Sequence, residues 1–242
     1  MPPSAGTGPA WLVLPTYNEA DNLESIVAAA LKHLPESARL LVVDDNSPDG
    51  TGQIADRLAA DQPRIEVLHR PQKEGLGPAY IAGFRRALAA GAAYVLEMDS
   101  DFSHDPADLP RLLEAAAGAD LVIGSRYVPG GGVENWTATR KAVSRGGSAY
   151  ARLLLGVPVR DLTGGFKCFR REVLEAIDLD AVNSRGYAFQ VEMTYRAVKA
   201  GFSVVEVPIF FRDRVAGTSK MSGMIVAEAA WRVPLLRFGR GS

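Results

Sequence analysis

The sequence predicts an α/β protein with a mostly parallel sheet and helices on both of its faces. Three observations carry that expectation. Short apolar runs alternate with longer stretches of helical periodicity along the first half of the chain. The runs close on a proline, an acid or a polar turn, as strands that feed a helix do. The length, 242 residues, is enough to bury one large core.

Taken in order, Trp11–Leu14 reads as a buried strand that closes on Pro15. Leu23, Ile26, Val27, Ala30, Leu31 and Leu34 follow with helical spacing. Leu40–Val43 is the next strand, Ile54, Ala55 and Leu58 mark a helix, and Ile65–Leu68 a third strand. Pro78–Ala90 reads as a helix, with its proline near the start where a missing N–H does no harm. Tyr94–Met98 is a strand, Leu109, Leu112, Leu113 and Ala116 mark a helix, and Leu121–Ile123 a strand. The second half is less regular. Gly130–Gly132 reads as a flexible link, Ala138–Leu155 as a helix, Asp161–Gly165 as a turn and Phe166–Phe169 as a short strand. Phe189–Ala200 reads as a helix, Val204–Phe211 as a strand interrupted by Pro208, and Arg212–Lys220 as a basic loop. The expected organisation is a flexible tail over 1–10, one domain over 11–220 and a helix over 221–242. Within the domain, 11–128 would bind nucleotide and 129–220 would complete the acceptor side.

Composition removes several function classes. Lys and Arg number 27 against 28 Asp and Glu, without the basic excess of a nucleic-acid binder. The single cysteine, Cys168, cannot form an internal disulfide, which suits a reducing compartment. No stretch approaches the ~18 uninterrupted apolar residues of a membrane span. The N-terminus has no charged start followed by an apolar block, so a secretory signal is not expected. Any membrane contact is therefore expected to be peripheral.

Ligands of parallel sheets bind beyond the carboxyl ends of the strands. The segments to inspect are Pro15–Glu19, Asp44–Asp49, Asp99–Asp105 and Ser125–Arg126. In Met98-Asp99-Ser100-Asp101, two carboxylates one residue apart either share a hard divalent cation, magnesium or manganese, or form an acidic turn. In Asp44-Asp45-Asn46-Ser47-Pro48-Asp49-Gly50, turn and helix-cap chemistry accounts for Asp49 and Gly50. It accounts less well for Asp44 and Asp45, which repel each other unless something positive is near. Gly50-Thr51-Gly52-Gln53-Ile54-Ala55 matches a dinucleotide fingerprint, but the expected acid at the end of the next strand is replaced by Leu68-His69-Arg70. Pro15-Thr16-Tyr17-Asn18-Glu19 is placed to grip a nucleobase, although helix capping is the better account of Asn18 alone. Arg126, Arg140, Arg214 and Lys220 are either phosphate ligands or solvated charges. His69 and His104 read as structural, and Cys168 as core.

These motifs together resemble the dolichol-phosphate mannosyltransferases, or polyprenol monophosphomannose synthases. Those are inverting family-2 glycosyltransferases with a GT-A fold, a Rossmann-like, mostly parallel sheet. The resemblance rests on Leu14–Glu19, Val42–Thr51, Met98–His104, Ser125–Tyr127, Asp161–Phe166, Gly186-Tyr187 and Gly217–Lys220, in that order. It implies that Pro15, Tyr17, Glu19, Val43 and Asp45 line the guanine and ribose pocket. It implies that Asp99 and Asp101 hold the donor diphosphate, with Ser100 beside it, and that Asp99, Asp101 and Ser103 hold the metal. Arg126, Arg140 and Ser144 would face the acceptor phosphate, and Arg214 and Lys220 would close over the donor. Some relatives carry a lysine after Gly-Tyr, where this chain has Ala188. The implied reaction moves mannose from GDP-mannose to a polyprenyl phosphate with a divalent metal. The implied place is the cytoplasmic face of a membrane, with a separate anchoring protein as one route; Met221–Arg240 reads either as an interfacial helix or as a terminal helix packed on the core. Two rival readings are a related enzyme that uses UDP-glucose or another donor, and a non-catalytic subunit that binds nucleotide or lipid phosphate.

Overall fold

The computed structural model describes residues 8–184, 186–212 and 233–238. Its first half alternates as expected: β1 (Ala10–Thr16), α1 (Leu23–His33), β2 (Arg39–Asp44), α2 (Thr51–Asp61), β3 (Ile65–His69), α3 (Leu76–Ala89), β4 (Tyr94–Glu97), α4 (Leu109–Ala116) and β5 (Leu121–Ser125). There follow β6 (Gly132–Val133), α5 (Ala138–Leu155), β7 (Lys167–Arg170), α6 (Arg171–Ala176), α7 (Gly186–Lys199), β8 (Val204–Pro208) and β9 (Phe210–Phe211).

Among the described residues, seven strands form one sheet in the order β3-β2-β1-β4-β7-β5-β8. All neighbours are parallel except β7, which runs antiparallel to both β4 and β5. Strand alternation divides the core in two. Leu12, Leu14, Leu40 and Val42 face α1, α2 and α4, whereas Trp11, Val13, Leu41 and Val43 face α3, α5, α6 and α7. The chain leaves β1 toward β2 and later returns to β4 on the other side of β1. That reversal opens a crevice at the carboxyl ends of β1 and β4, where Pro15–Glu19 and Asp99–Asp105 lie.

Several expectations change. Ala10, placed in the tail, opens β1 and pairs with Tyr94. Gly130–Gly132 is not a free link: Gly132 pairs with Phe210, and a Cβ on Gly131 would stand 2.4 Å from the Ser125 carbonyl oxygen. The two halves share one sheet, because β7 from the second half fills the gap between β4 and β5. Asn18 caps no helix. It takes a left-handed turn (φ 58°) and donates its N–H to Ser47 Oγ at 3.1 Å, and α1 starts after Asn22.

Helix α3 packs hard on the sheet because Gly83 faces it. A Cβ there would stand 2.4 Å from Val13 Cγ1 and 3.2 Å from Val43 Cγ2. Alanine would raise helix propensity by up to ~1 kcal/mol, but both obstacles are β-branched side chains fixed in the core. Gly83→Ala is therefore expected to destabilise by about 1–3 kcal/mol, seen as a lower urea midpoint with an unchanged slope.

Candidate active site

The crevice holds a cavity of about 370 Å³. Pro15, Tyr17, Glu19 and Asp45 line one end of it, Asp99, Ser100, Asp101 and Ser103 its middle, and Arg126 and Arg140 the other end. The structure thus gathers these scattered residues around one space. Val43 is not among them: as an inward strand residue it is fully buried against α3. Ser144, on α5, also lies outside the lining and accepts a 2.6 Å hydrogen bond from the Tyr127 hydroxyl. Arg214 and Lys220 lie outside the described residues, as does most of the expected 221–242 helix.

Loop–loop hydrogen bonds shape the end beside β1 and β2. Thr51 Oγ1 accepts from the Glu19 N–H at 2.9 Å and donates to Asp49 Oδ1 at 2.6 Å, and Asp49 Oδ2 accepts from the Ala20 N–H at 3.1 Å. Burial favours the neutral Asp49 carboxyl, but these donors outweigh it and hold its pKa below the ordinary value. The positive group that adjacent Asp44 and Asp45 require is Arg70. Its Nη1 lies 2.5 Å from Asp45 Oδ1, and it also pairs with Glu74. Lys73, three residues on, rests 3.7 Å from the centroid of the Tyr17 ring. Neither basic residue was singled out in the sequence, although the turn after β3 also opens onto this crevice and the two acids demanded a cation.

In the middle, Asp101 Oδ1 accepts from the Ser103 N–H at 3.0 Å. Ser103 Oγ is buried and has no hydrogen-bond partner among the described residues. An orphaned hydroxyl beside two carboxylates is the donor set that a hard cation fits. No group of three His, Cys, Asp or Glu side chains is present there among the described residues, so further ligands would come from substrate and water. His104, read as structural, also borders the cavity and packs on Phe166 and Phe211. Its Nδ1 accepts from the Asp99 N–H at 3.4 Å. Burial pushes its pKa down to about 4, against the attraction of Asp101, so the ring is neutral at pH 7.

The far end depends on Asp161. Its Oδ2 accepts from the Arg126 backbone N–H at 2.9 Å and from Nε at 2.7 Å, and its Oδ1 from Nη2 at 2.6 Å. Nη2 also donates to Thr163 Oγ1 at 2.8 Å. Burial alone would raise the Asp161 carboxyl, but the guanidinium holds it below its ordinary value, and the carboxylate in turn raises Arg126. Arg140 lies 4.1 Å from the centroid of Trp136, which also meets Phe211 edge-on. Two guanidinium groups are thereby presented at one end of a cavity whose middle is acidic. Such a space can hold a bridged diphosphate and bring a second anion to it.

This arrangement is the work of a family. The chain belongs to glycosyl transferase family 2, whose family model matches residues 11–178. It is 54% identical over 224 residues to the polyprenol monophosphomannose synthase of Mycolicibacterium smegmatis, covering 92% of this chain and 84% of that protein. It is 53% identical over 221 residues to the undecaprenyl-phosphate mannosyltransferase of Micrococcus luteus, covering 91% and 90%. Among solved structures, glucosyl-3-phosphoglycerate synthase of Mycobacterium tuberculosis, captured with Mn2+, uridine diphosphate and glucosyl-3-phosphoglycerate, superposes with a TM-score of 0.68. That match covers 98% of this chain and 82% of the other at 21% identity. A mycobacterial protein without a stated function gives 0.71 at 20% identity, over 98% and 76%. The expected GT-A fold is therefore the one observed.

Asp161→Asn would keep the shape and remove the charge, leaving Arg126 buried and uncompensated. A loss of about 3–5 kcal/mol is expected in chemical denaturation. Because the folded Asp161 pKa is depressed, its contribution is present above the ordinary carboxyl range and is lost as pH falls through the folded value. Melting temperatures below about pH 4 should fall less steeply in Asp161→Asn than in the parent.

Proposed function

We propose that this glycosyltransferase moves mannose from GDP-mannose to a polyprenyl phosphate, giving a β-linked lipid phosphomannose. The observation that carries the reading is the cavity itself, with the Asp99/Asp101 pair in the middle and Arg126 and Arg140 at one end. The names of the relatives from M. smegmatis and M. luteus support both sugar and lipid.

The acceptor is a phosphate monoester, already anionic near neutral pH, so its oxygen can attack the anomeric carbon without a strong general base. As that bond forms, the bond from the carbon to the donor diphosphate breaks. One displacement converts the α-linked donor to a β-linked product and releases GDP. A bound magnesium or manganese ion would neutralise charge on the leaving diphosphate. Asp99, Asp101 and Ser103 would hold that ion, with Ser100 beside the donor. Pro15, Tyr17, Glu19 and Asp45 would hold the nucleoside. Arg140 and the partly committed Arg126 would bring in the acceptor phosphate. Arg214 and Lys220 keep the role over the donor that the resemblance implies.

Among the described residues no helix is long and apolar enough to cross a membrane. Contact with the lipid's own membrane is proposed to be peripheral, on the cytoplasmic face, helped by a separate anchoring protein. Helix α5 supports this: Leu153 is 85% exposed, with Val143 and Tyr150 also exposed and Arg145 and Arg152 among them. The 233–238 helix serves two sides. Val233 and Leu236 pack on the core, while Leu235 and Phe238 face solvent.

Labelled GDP-mannose and UDP-glucose, each incubated with a short polyprenyl phosphate in detergent, test the reading. Lipid product is expected from GDP-mannose only with magnesium or manganese present. Asp101→Ala should lower the rate by a factor of about 100 or more. Product from UDP-glucose instead would overturn the mannose assignment. Nucleotide binding without any product would favour the binding-subunit reading.

A further inference from the structure

Beneath Asp99 lies a buried set of groups that the transfer chemistry above does not use: Tyr80, Glu97, Lys167 and Gln190. Glu97 and Lys167 are opposite each other across β4 and β7, with Lys167 Nζ 3.5 Å from Glu97 Oε1. Burial pushes the Glu97 carboxyl up to about 7 and the Lys167 ammonium down, each partner pulling the other back toward its charged form. The same ammonium donates to the Gln190 backbone oxygen at 3.0 Å and, in a short contact, to its side-chain Oε1.

That contact fixes the amide. An ammonium has donors only, so the Gln190 oxygen must face it and Nε2 must point elsewhere. Nε2 is buried and reaches no acceptor at hydrogen-bonding distance, though it is near enough to Glu97 to favour the carboxylate. A buried donor without an acceptor is costly and requires an explanation. Gln190 borders the cavity. A Cβ built on Gly165 would stand 3.3 Å from Gln190 Nε2 and 3.8 and 3.9 Å from the two Asp99 carboxylate oxygens. A fixed donor and a carboxylate acceptor therefore flank one spot on the cavity wall, and a glycine occupies that spot.

We propose that Gln190 is a specificity-determining residue whose Nε2 donates to a hydroxyl of the sugar being transferred, beside Asp99. A sugar hydroxyl both donates and accepts, which matches an amide N–H next to a carboxylate. An ionised phosphate oxygen accepts only and has no proton to donate to that carboxylate. The proposal rests on the reading of the protein as a nucleotide-sugar transferase, but not on which sugar it uses.

Calorimetry with Mn2+ present, comparing GDP with GDP-mannose and UDP with UDP-glucose, separates sugar contacts from nucleotide contacts. Gln190→Leu is expected to bind the bare diphosphate within about twofold of the parent, with the same Mn2+ dependence. Its affinity for the sugar nucleotide and its kcat/KM should fall by about tenfold. Gln190→Glu, which Lys167 can still pair, is the second variant and should show the same selective loss if the leucine variant folds poorly. Undiminished sugar-nucleotide affinity, or an equal loss of affinity for the bare diphosphate, would overturn the proposal. If the parent prefers a donor other than GDP-mannose, the mannose reading fails alone, and the same comparison with that donor still decides the role of Gln190.

Discussion

The site depends on one buried carboxylate. Asp161 accepts from the backbone and side chain of Arg126, at the end of β5, although the two are 35 residues apart in sequence. A bare guanidinium could not stay buried at the end of a strand, because desolvation would exceed what a hydroxyl or two returns. With Asp161 in place the cation is retained, Thr163 is drawn in, and the turn before β7 is fixed against the carboxyl ends of β4 and β5. Two N–H groups of the clamped guanidinium point at Asp161, which directs its remaining edge and restricts how it can meet a second anion. Arg126 is thus part of the framework of the site, and Arg140 is braced on Trp136.

Charge is distributed along the cavity by the same logic. Acids stand at the strand ends of β2 and β4 in close pairs, and each pair needs compensation. Arg70 supplies it for Asp45, and Lys167 supplies it from below for Glu97. The middle pair, Asp99 and Asp101, has Tyr80 and the neutral His104 among its neighbours. Carboxylates placed so close, one residue apart at a strand end, are suited to a hard cation brought with substrate.

Much of this was legible in the sequence. Apolar runs and helical spacing located every strand and helix of the first half, since each buries one face or both and so carries a full periodic signal. The rule that ligands bind past strand ends pointed to Pro15–Glu19, Asp45 and Asp99–Ser103. Long-range choices were not legible. Nothing local shows that β7 runs against its neighbours, or that Val43, with its strand-end position, turns into the core and not toward the cavity. Lys167, lying between Phe166 and Cys168, was a visible anomaly: a charged residue in an apolar strand requires a buried partner. Its partners, Glu97 and Gln190, could be named only once β4 and α7 were in place. The turn after β3 is not legible because its proline, glycine and charges read as ordinary loop composition, while Lys73 reaches Tyr17 after β1 and Arg70 reaches Asp45 after β2.

The position of β7 carries a consequence for how the molecule is made. The ribosome releases β4 and β5 well before β7, yet these two strands never pair with one another in the finished sheet. Until the later segment arrives, each exposes an unsatisfied edge, and the nearest false partner for either is the other. Vectorial synthesis therefore passes through a stage in which the parallel block of β1 to β4 can assemble but must leave a vacancy one strand wide. Closing it requires a long-range antiparallel insertion, a slow step by its contact order. A fragment ending after β5 would keep that open seam, with β4 and β5 each presenting an edge that only the later strand covers in the finished sheet.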